Sequence, residues 1–167
     1  AFAACALPTA VAFPAGAQPK AGEPLKIGFV YVSPIGDAGW TFQHDTGRKE
    51  MEKALGAKVT TKYIESVPEG SDAERVIREL AASGHNLIFT TSFGYMEPTL
   101  KVAKLFPKVK FSHATGFKTA PNVVTYESRF HEGAYLLGVL AGKLSRSNSL
   151  GYVASFPIPE VIRNINA

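Results

Sequence analysis

A carboxylate and an indole stand between closely spaced glycines in Gly36-Asp37-Ala38-Gly39-Trp40, and Thr41 and Gln43 add a hydroxyl and an amide just beyond. A carboxylate accepts hydrogen bonds from a ligand's N–H or O–H groups, and an indole offers a flat face on which a planar ring stacks. The same residues also have purely structural uses: Asp37 can cap the first turn of a helix and Trp40 can pack into a core. A second loop repeats the chemistry in Thr91-Ser92-Phe93-Gly94-Tyr95, where two aromatic rings flank a glycine beside the Ser92 hydroxyl. A third, Thr115-Gly116-Phe117-Lys118, supplies one more ring and a cation. The candidate ligand-binding residues are therefore Asp37, Trp40, Thr41, Gln43, Ser92, Phe93, Gly94, Tyr95 and Lys118.

Catalytic patterns are weaker. His44, His85, His113 and His131 have no metal-ligand spacing such as His-x-x-x-His, so no metal is expected and each reads as a surface or packing histidine. Ser92 lacks the G-x-S-x-G setting of a nucleophile, and the His131-Glu132 step alone does not make a base. Neither G-x-G-x-x-G nor G-x-x-x-x-G-K-[ST] occurs, so nothing here cradles a phosphate and no cofactor is expected.

Elements that could position these loops alternate along the chain. Residues 27–32 form a continuous apolar run, which suits a strand buried on both faces. A helix over about 40–55 then places Trp40, His44, Gly47, Met51 and Leu55 on one side. Residues 59–64 read as a second strand, and a helix beginning at 68–69 carries the inward stripe Ala73, Val76, Ile77, Leu80 and Ala81. Strands at 86–90, 109–113 and 123–126 follow, with a helix over 97–106 that stops before Pro107. The longest later helix is 130–144, whose Gly133, Gly138 and Gly142 suggest close approach of a neighbour. A last strand at 150–154 and a helix at 160–165 complete the pattern. This alternation predicts βαβ units: an α/β fold with an open, mainly parallel sheet and helices on both faces.

With 46% hydrophobic and 19% charged residues, the 167-residue chain suits a folded domain with a real core. Lysines and arginines are scattered among acids in a formal net charge of +4, without the basic stripe that tracks nucleic acid, so nucleic acid is not an expected partner. A single cysteine, Cys5, excludes an internal disulfide framework. Residues 1–24 are alanine-rich, and Ala15-Gly16-Ala17 fits the small-x-small pattern ahead of a signal-peptidase cut. They read as a signal remnant or a flexible leader, and Phe2-Ala3-Ala4-Cys5 is an imperfect lipid-attachment pattern. The expected organisation is this leader, an α/β lobe over 25–154, and a hinge with the start of a second lobe over 155–167.

Four stretches, KIGFVYVSPIGDAGWTFQHDTGRKEME, TTSFGYMEPTLKVAKLFPKVKF, ESRFHEGAYLLGVLAGKLS and LGYVASFPIPEVIRNINA, occur in an order that resembles the basic-membrane-protein family of ABC-transporter substrate-binding proteins, which includes purine-nucleoside receptors. The resemblance covers about residues 25–167. It implies the first lobe of a type I periplasmic-binding-protein-like fold, with a missing second lobe that supplies the other half of the ligand contacts. It also implies an extracytoplasmic location, in the periplasm or on the outer face of the membrane, with ABC permease subunits as partners and a purine-like solute. Asp37 matches the family's first-loop acid, Trp40 stands at a base-stacking aromatic, and Phe93-Gly94 matches the second-loop step. Thr41 replaces an asparagine of the nucleoside receptors, which leaves room for a free base. The function implied is solute capture without chemistry; the alternatives are a nucleoside-processing hydrolase and a non-catalytic interaction domain.

Overall fold

The computed structural model describes residues 22–154 and 156–167. Residues 1–21, which hold Cys5 and Ala15-Gly16-Ala17, lie outside the described part. The chain divides into two compact units, one through Tyr126 and one from Glu127 onward, so the expected 25–154 segment spans the first unit and part of the second.

The first unit is built on five strands, β1 (Leu25–Val30), β2 (Val59–Ile64), β3 (Leu87–Thr90), β4 (Lys110–Ala114) and β5 (Val123–Tyr126), in the order β2-β1-β3-β4-β5. Every neighbouring pair is parallel, with Val30 opposite Ile64 and Thr90, and Thr90 opposite His113. All five carboxyl ends therefore lie along one edge.

Helices α1 (Trp40–Leu55), α2 (Ser71–Ala82) and α3 (Met96–Leu105) connect the strands. Side chains alternate along β1, so one face of the sheet gathers Val30, Ile88 and Phe111 against Ile77 and Leu80 of α2 and Val102 of α3. The other face gathers Ile27, Phe29 and Tyr31 with Met51 of α1 packed on them. Each fully buried Ile, Leu or Phe in these layers contributes about 1.5–3 kcal/mol. The helix that would normally join β4 to β5 is replaced by residues 115–122. Asn122 holds that connection down by donating its side-chain N–H groups to the carbonyls of Ala103 (3.1 Å), Phe106 (3.1 Å) and Val109 (2.9 Å) at the end of α3.

Helix α1 departs from the sequence expectation. Its buried residues are Thr41, Asp45 and Arg48, whereas Leu55 is exposed and His44 and Met51 are half-buried. The inward face of this helix is polar because its charges are paired with one another and with the strands beneath, as hydrogen bonds from Tyr31 and Arg48 to Asp45 show.

The second unit holds α4 (Phe130–Leu144) and α5 (Pro159–Ile165), which pack on each other, with an Arg163–Glu127 ion pair at 2.9 Å. A Cβ added at Gly133, Gly138 or Gly142 meets nothing within 4 Å, so the close approach expected there is not seen among the described residues. Residues 150–154 form no strand in the described part, because a strand needs a hydrogen-bonding neighbour and the helical pair offers none. No helix among the described residues is long and apolar enough to cross a membrane.

Candidate functional site

The chain order reverses direction across the sheet between β1 and β3: β1 leads outward to β2 on one side, and β3 leads to β4 on the other. In open α/β sheets the crevice outside such a switch point is where ligands sit. The β1–α1 and β3–α3 loops flank this crevice, and they carry most of the residues singled out in the sequence.

Trp40 spans it. Its indole N–H donates to the Thr91 carbonyl at the end of β3, and its ring lies 4.7 Å from that of His44. His44 is tied in turn to the Trp40 carbonyl at 2.9 Å, and burial lowers its pKa. The half-buried indole is thus pinned at its edge, with part of its surface still open.

Asp37 is exposed and makes no capping bond. Helix α1 is preceded by Gly39 and has no side-chain cap, so the capping role is not taken up. Thr41 points inward: it is 2% exposed, and its hydroxyl lies 2.7 Å from that of Ser33. Gln43 is exposed on the first turn, with its backbone N–H bonded to Gly39.

In the β3–α3 loop, Phe93-Gly94-Tyr95 forms a short 3-10 turn. The turn separates the two rings. Phe93 stays half-buried at the strand ends, 6.3 Å from the Phe117 ring of the third loop. Tyr95 is completely buried, and its hydroxyl donates to the Val67 carbonyl, which gives it a core role and takes it off the candidate face. Lys118 is exposed but ion-paired with Glu97 on the first turn of α3.

Two carboxylates that the sequence reading passed over shape this edge. Both belong to the β2–α2 connection, residues 65–70. Glu65 accepts the backbone N–H of Ile35 at 3.0 Å, tying down the first loop. Glu69 accepts both the Ser92 hydroxyl and the Gly94 N–H (3.0 Å), tying down the second. The one available signal was their position just after a strand, in Glu65-Ser66-Val67-Pro68-Glu69-Gly70.

Gly94 and Gly116 are both sites of close approach, with different consequences. A Cβ at Gly94 would stand 2.2 Å from the Glu69 carboxyl carbon, and one at Gly116 would stand 2.2 Å from Cδ2 of His113. Glu69 is an exposed, flexible side chain that can swing away, whereas His113 is 1% exposed and held by Thr90 at 2.9 Å. The expected result in thermal melts is that G94A stays close to the parent in midpoint, while G116A is destabilised by about 1–3 kcal/mol through overpacking.

The arrangement offers aromatic faces and carboxylate acceptors, and no group of three His, Cys, Asp or Glu that could hold a metal exists among the described residues. The second unit carries a separate open hollow of about 430 Å³, lined by His131, Glu132, Tyr135, Leu136 and Ala167, which shares no residue with these loops.

Comparison with known proteins finds relatives among solute-binding proteins. The chain is 55% identical over 159 residues to a purine-binding protein of Brucella abortus, covering 95% of this chain and 45% of the relative. It is 42% identical over 152 residues to a putative ABC transporter glucose-binding protein of Haloferax volcanii, covering 91% of this chain and 38% of the relative. The chain thus spans less than half the length of both curated relatives. Among solved structures, an ABC transporter solute-binding protein of Conexibacter woesei superposes with a TM-score of 0.60 at 28% identity, over 71% of this chain and 40% of that one. The model of the PnrA-like ABC transporter substrate-binding proteins matches residues 25–167, and the chain belongs to that family.

Proposed function

We propose that the chain forms one wall of a receptor that captures a purine-like solute outside the cytoplasm and delivers it to an ABC permease. The observation that carries this reading is the Trp40 indole, bonded across the switch point to the Thr91 carbonyl, with the Phe93–Phe117 pair on the neighbouring loops. Flat rings fixed at strand ends suit a flat solute, and the exposed Asp37 carboxylate is an acceptor for its N–H groups. The inward turn of Thr41 supports a free base over a nucleoside. Its hydroxyl is already used by Ser33 and is closed to a ribose.

In this reading a second lobe supplies the opposite wall, and closure of the two lobes on the solute reports occupancy to the permease. No bond in the solute changes. The 55% identical purine-binding relative supports the purine assignment, while the glucose-binding name of the other makes a sugar the rival solute.

The test is titration of the two-lobed protein carrying this lobe with adenine, adenosine and glucose, read by calorimetry and tryptophan fluorescence with product analysis. Trp40 is the single tryptophan of the chain. Adenine is expected to quench fluorescence and release heat without turnover, and W40F is expected to lose the quench. Heat with glucose and none with purines would overturn the purine assignment, and product formation would overturn the receptor.

A further inference from the structure

The Glu69 carboxylate is built into the edge of the crevice yet uses only half of its hydrogen-bonding capacity. Oε1 accepts both the Ser92 hydroxyl and the Gly94 N–H, whereas Oε2 has no hydrogen-bond or ion-pair partner among the described residues. Both donors flank Phe93, so the carboxylate necessarily sits beside the backbone of the residue that presents the aromatic ring. The backbone that carries Glu69 is fixed from below. Val67 is 4% exposed, its N–H donates to the Tyr31 carbonyl at 3.0 Å, and its carbonyl accepts the Tyr95 hydroxyl. Ser66 takes a positive φ of 57°, a strained conformation for a residue with a side chain, as the segment enters this anchor. Gly94 completes the seat, since a Cβ there would collide with the carboxylate at 2.2 Å.

From this geometry we infer that Glu69 is a specificity-determining residue of the solute site, accepting through Oε2 an N–H of the bound base; the inference rests on the purine reading given above. A carboxylate is an acceptor only. It favours rings that present N–H donors, such as adenine with its exocyclic amine and ring N–H, and it disfavours the same ring with those hydrogens replaced. The Phe93 ring supplies stacking without regard to donors and acceptors, and the neighbouring carboxylate supplies the discrimination. Glu65, bonded to Ile35 in the adjacent loop, has a structural role and is the internal comparison.

The experiment is calorimetry on the two-lobed protein with adenine and with 6-dimethylamino-9-methylpurine, which keeps the ring system and has no N–H. In E69Q the amide oxygen still accepts from Ser92 and Gly94, but the free end changes from an acceptor to a donor. The parent is expected to prefer adenine by roughly tenfold or more. E69Q is expected to lose roughly tenfold in adenine affinity and most of that preference. G94A, which displaces the carboxylate without altering it, is expected to show the same loss and stands in if E69Q fails to fold. Adenine binding by either variant with parental affinity and preference overturns the role of Glu69 and leaves the purine reading intact. Failure of the parent to bind either ring overturns the purine reading, and this inference with it.

Discussion

Replacing Asp45 by alanine is expected to cost about 3–5 kcal/mol, a large fraction of the stability of a domain this size. Asp45 is 1% exposed on the inner face of α1, and its partner Arg48 is 8% exposed. One carboxylate oxygen accepts from Arg48 Nε at 2.8 Å and from the Tyr31 hydroxyl at 3.4 Å; the other pairs with Lys49 at 2.8 Å. Arg48 is engaged on its far side by Glu52 (3.1 Å) and Thr61 (3.0 Å), and its guanidinium lies 4.8 Å from the Tyr63 ring centre. Burial by itself would raise the Asp45 pKa, but the hydrogen bonds from Arg48 and Lys49 outweigh it and the pKa is lowered. Deleting the carboxylate leaves a buried guanidinium short of its main partner, and that desolvated charge is what destabilises the variant. The paired change D45L/R48M removes both charges and is expected to recover most of the loss, since a buried ion pair often does little better than apolar residues of similar size. Chemical denaturation of the three proteins checks both statements. A D45A cost below about 1 kcal/mol would contradict the first.

The parallel sheet and its helices were legible in the sequence because burial leaves a pattern. Residues 27–30 must be apolar on both faces, and the stripe Ala73, Val76, Ile77, Leu80 and Ala81 has the period of a helix with one buried side; all five are buried. Helix α1 was misread for the opposite reason. A pattern search treats Asp45 and Arg48 as surface charges, and only the fold reveals that they neutralise one another beneath the helix. The candidate site shows the same division. Trp40 and Phe93 stood out as large rings beside glycines after buried strands, and both lie at the switch point. Tyr95 has the same local signature, but the turn through Gly94 rotates it into the core, where its hydroxyl finds Val67. Glu69 and the Lys118–Glu97 pair depend on contacts between residues 21 to 25 positions apart, which no local spacing encodes. The stretch at 150–154 has strand-forming residues but lacks a partner strand in the described part, and composition carries no information about the neighbour.

Acidification should weaken the fold well before its carboxylates titrate, and His113 should account for most of the effect. The ring is 1% exposed beneath Gly116. Thr99 donates to the Thr90 hydroxyl at 3.1 Å, and that hydroxyl lies 2.9 Å from His113 Nδ1. Nε2 has no partner among the described residues. The doubly protonated ring would be a buried charge whose Nε2–H has no acceptor, so burial lowers the pKa to about 4, and a hydrogen bond to the Thr90 backbone offsets only part of this. In the unfolded chain the same imidazole titrates near 6.5. Between these values the unfolded state binds the extra proton and the folded state does not. The contribution of His113 is therefore complete above about pH 6.5 and declines as the pH falls toward 4, by about 3 kcal/mol. His44 and His85, whose pKa values burial also lowers, act with the same sign. Asp45 enters later, because a lowered carboxyl pKa keeps its contribution down to about pH 3.9 and loses it only below. Denaturant titrations at pH 7, 6, 5 and 4 are expected to show this decline, and H113N is expected to flatten most of it whatever its own cost at pH 7. An unchanged slope in H113N would show that His113 is not the residue that resists the proton.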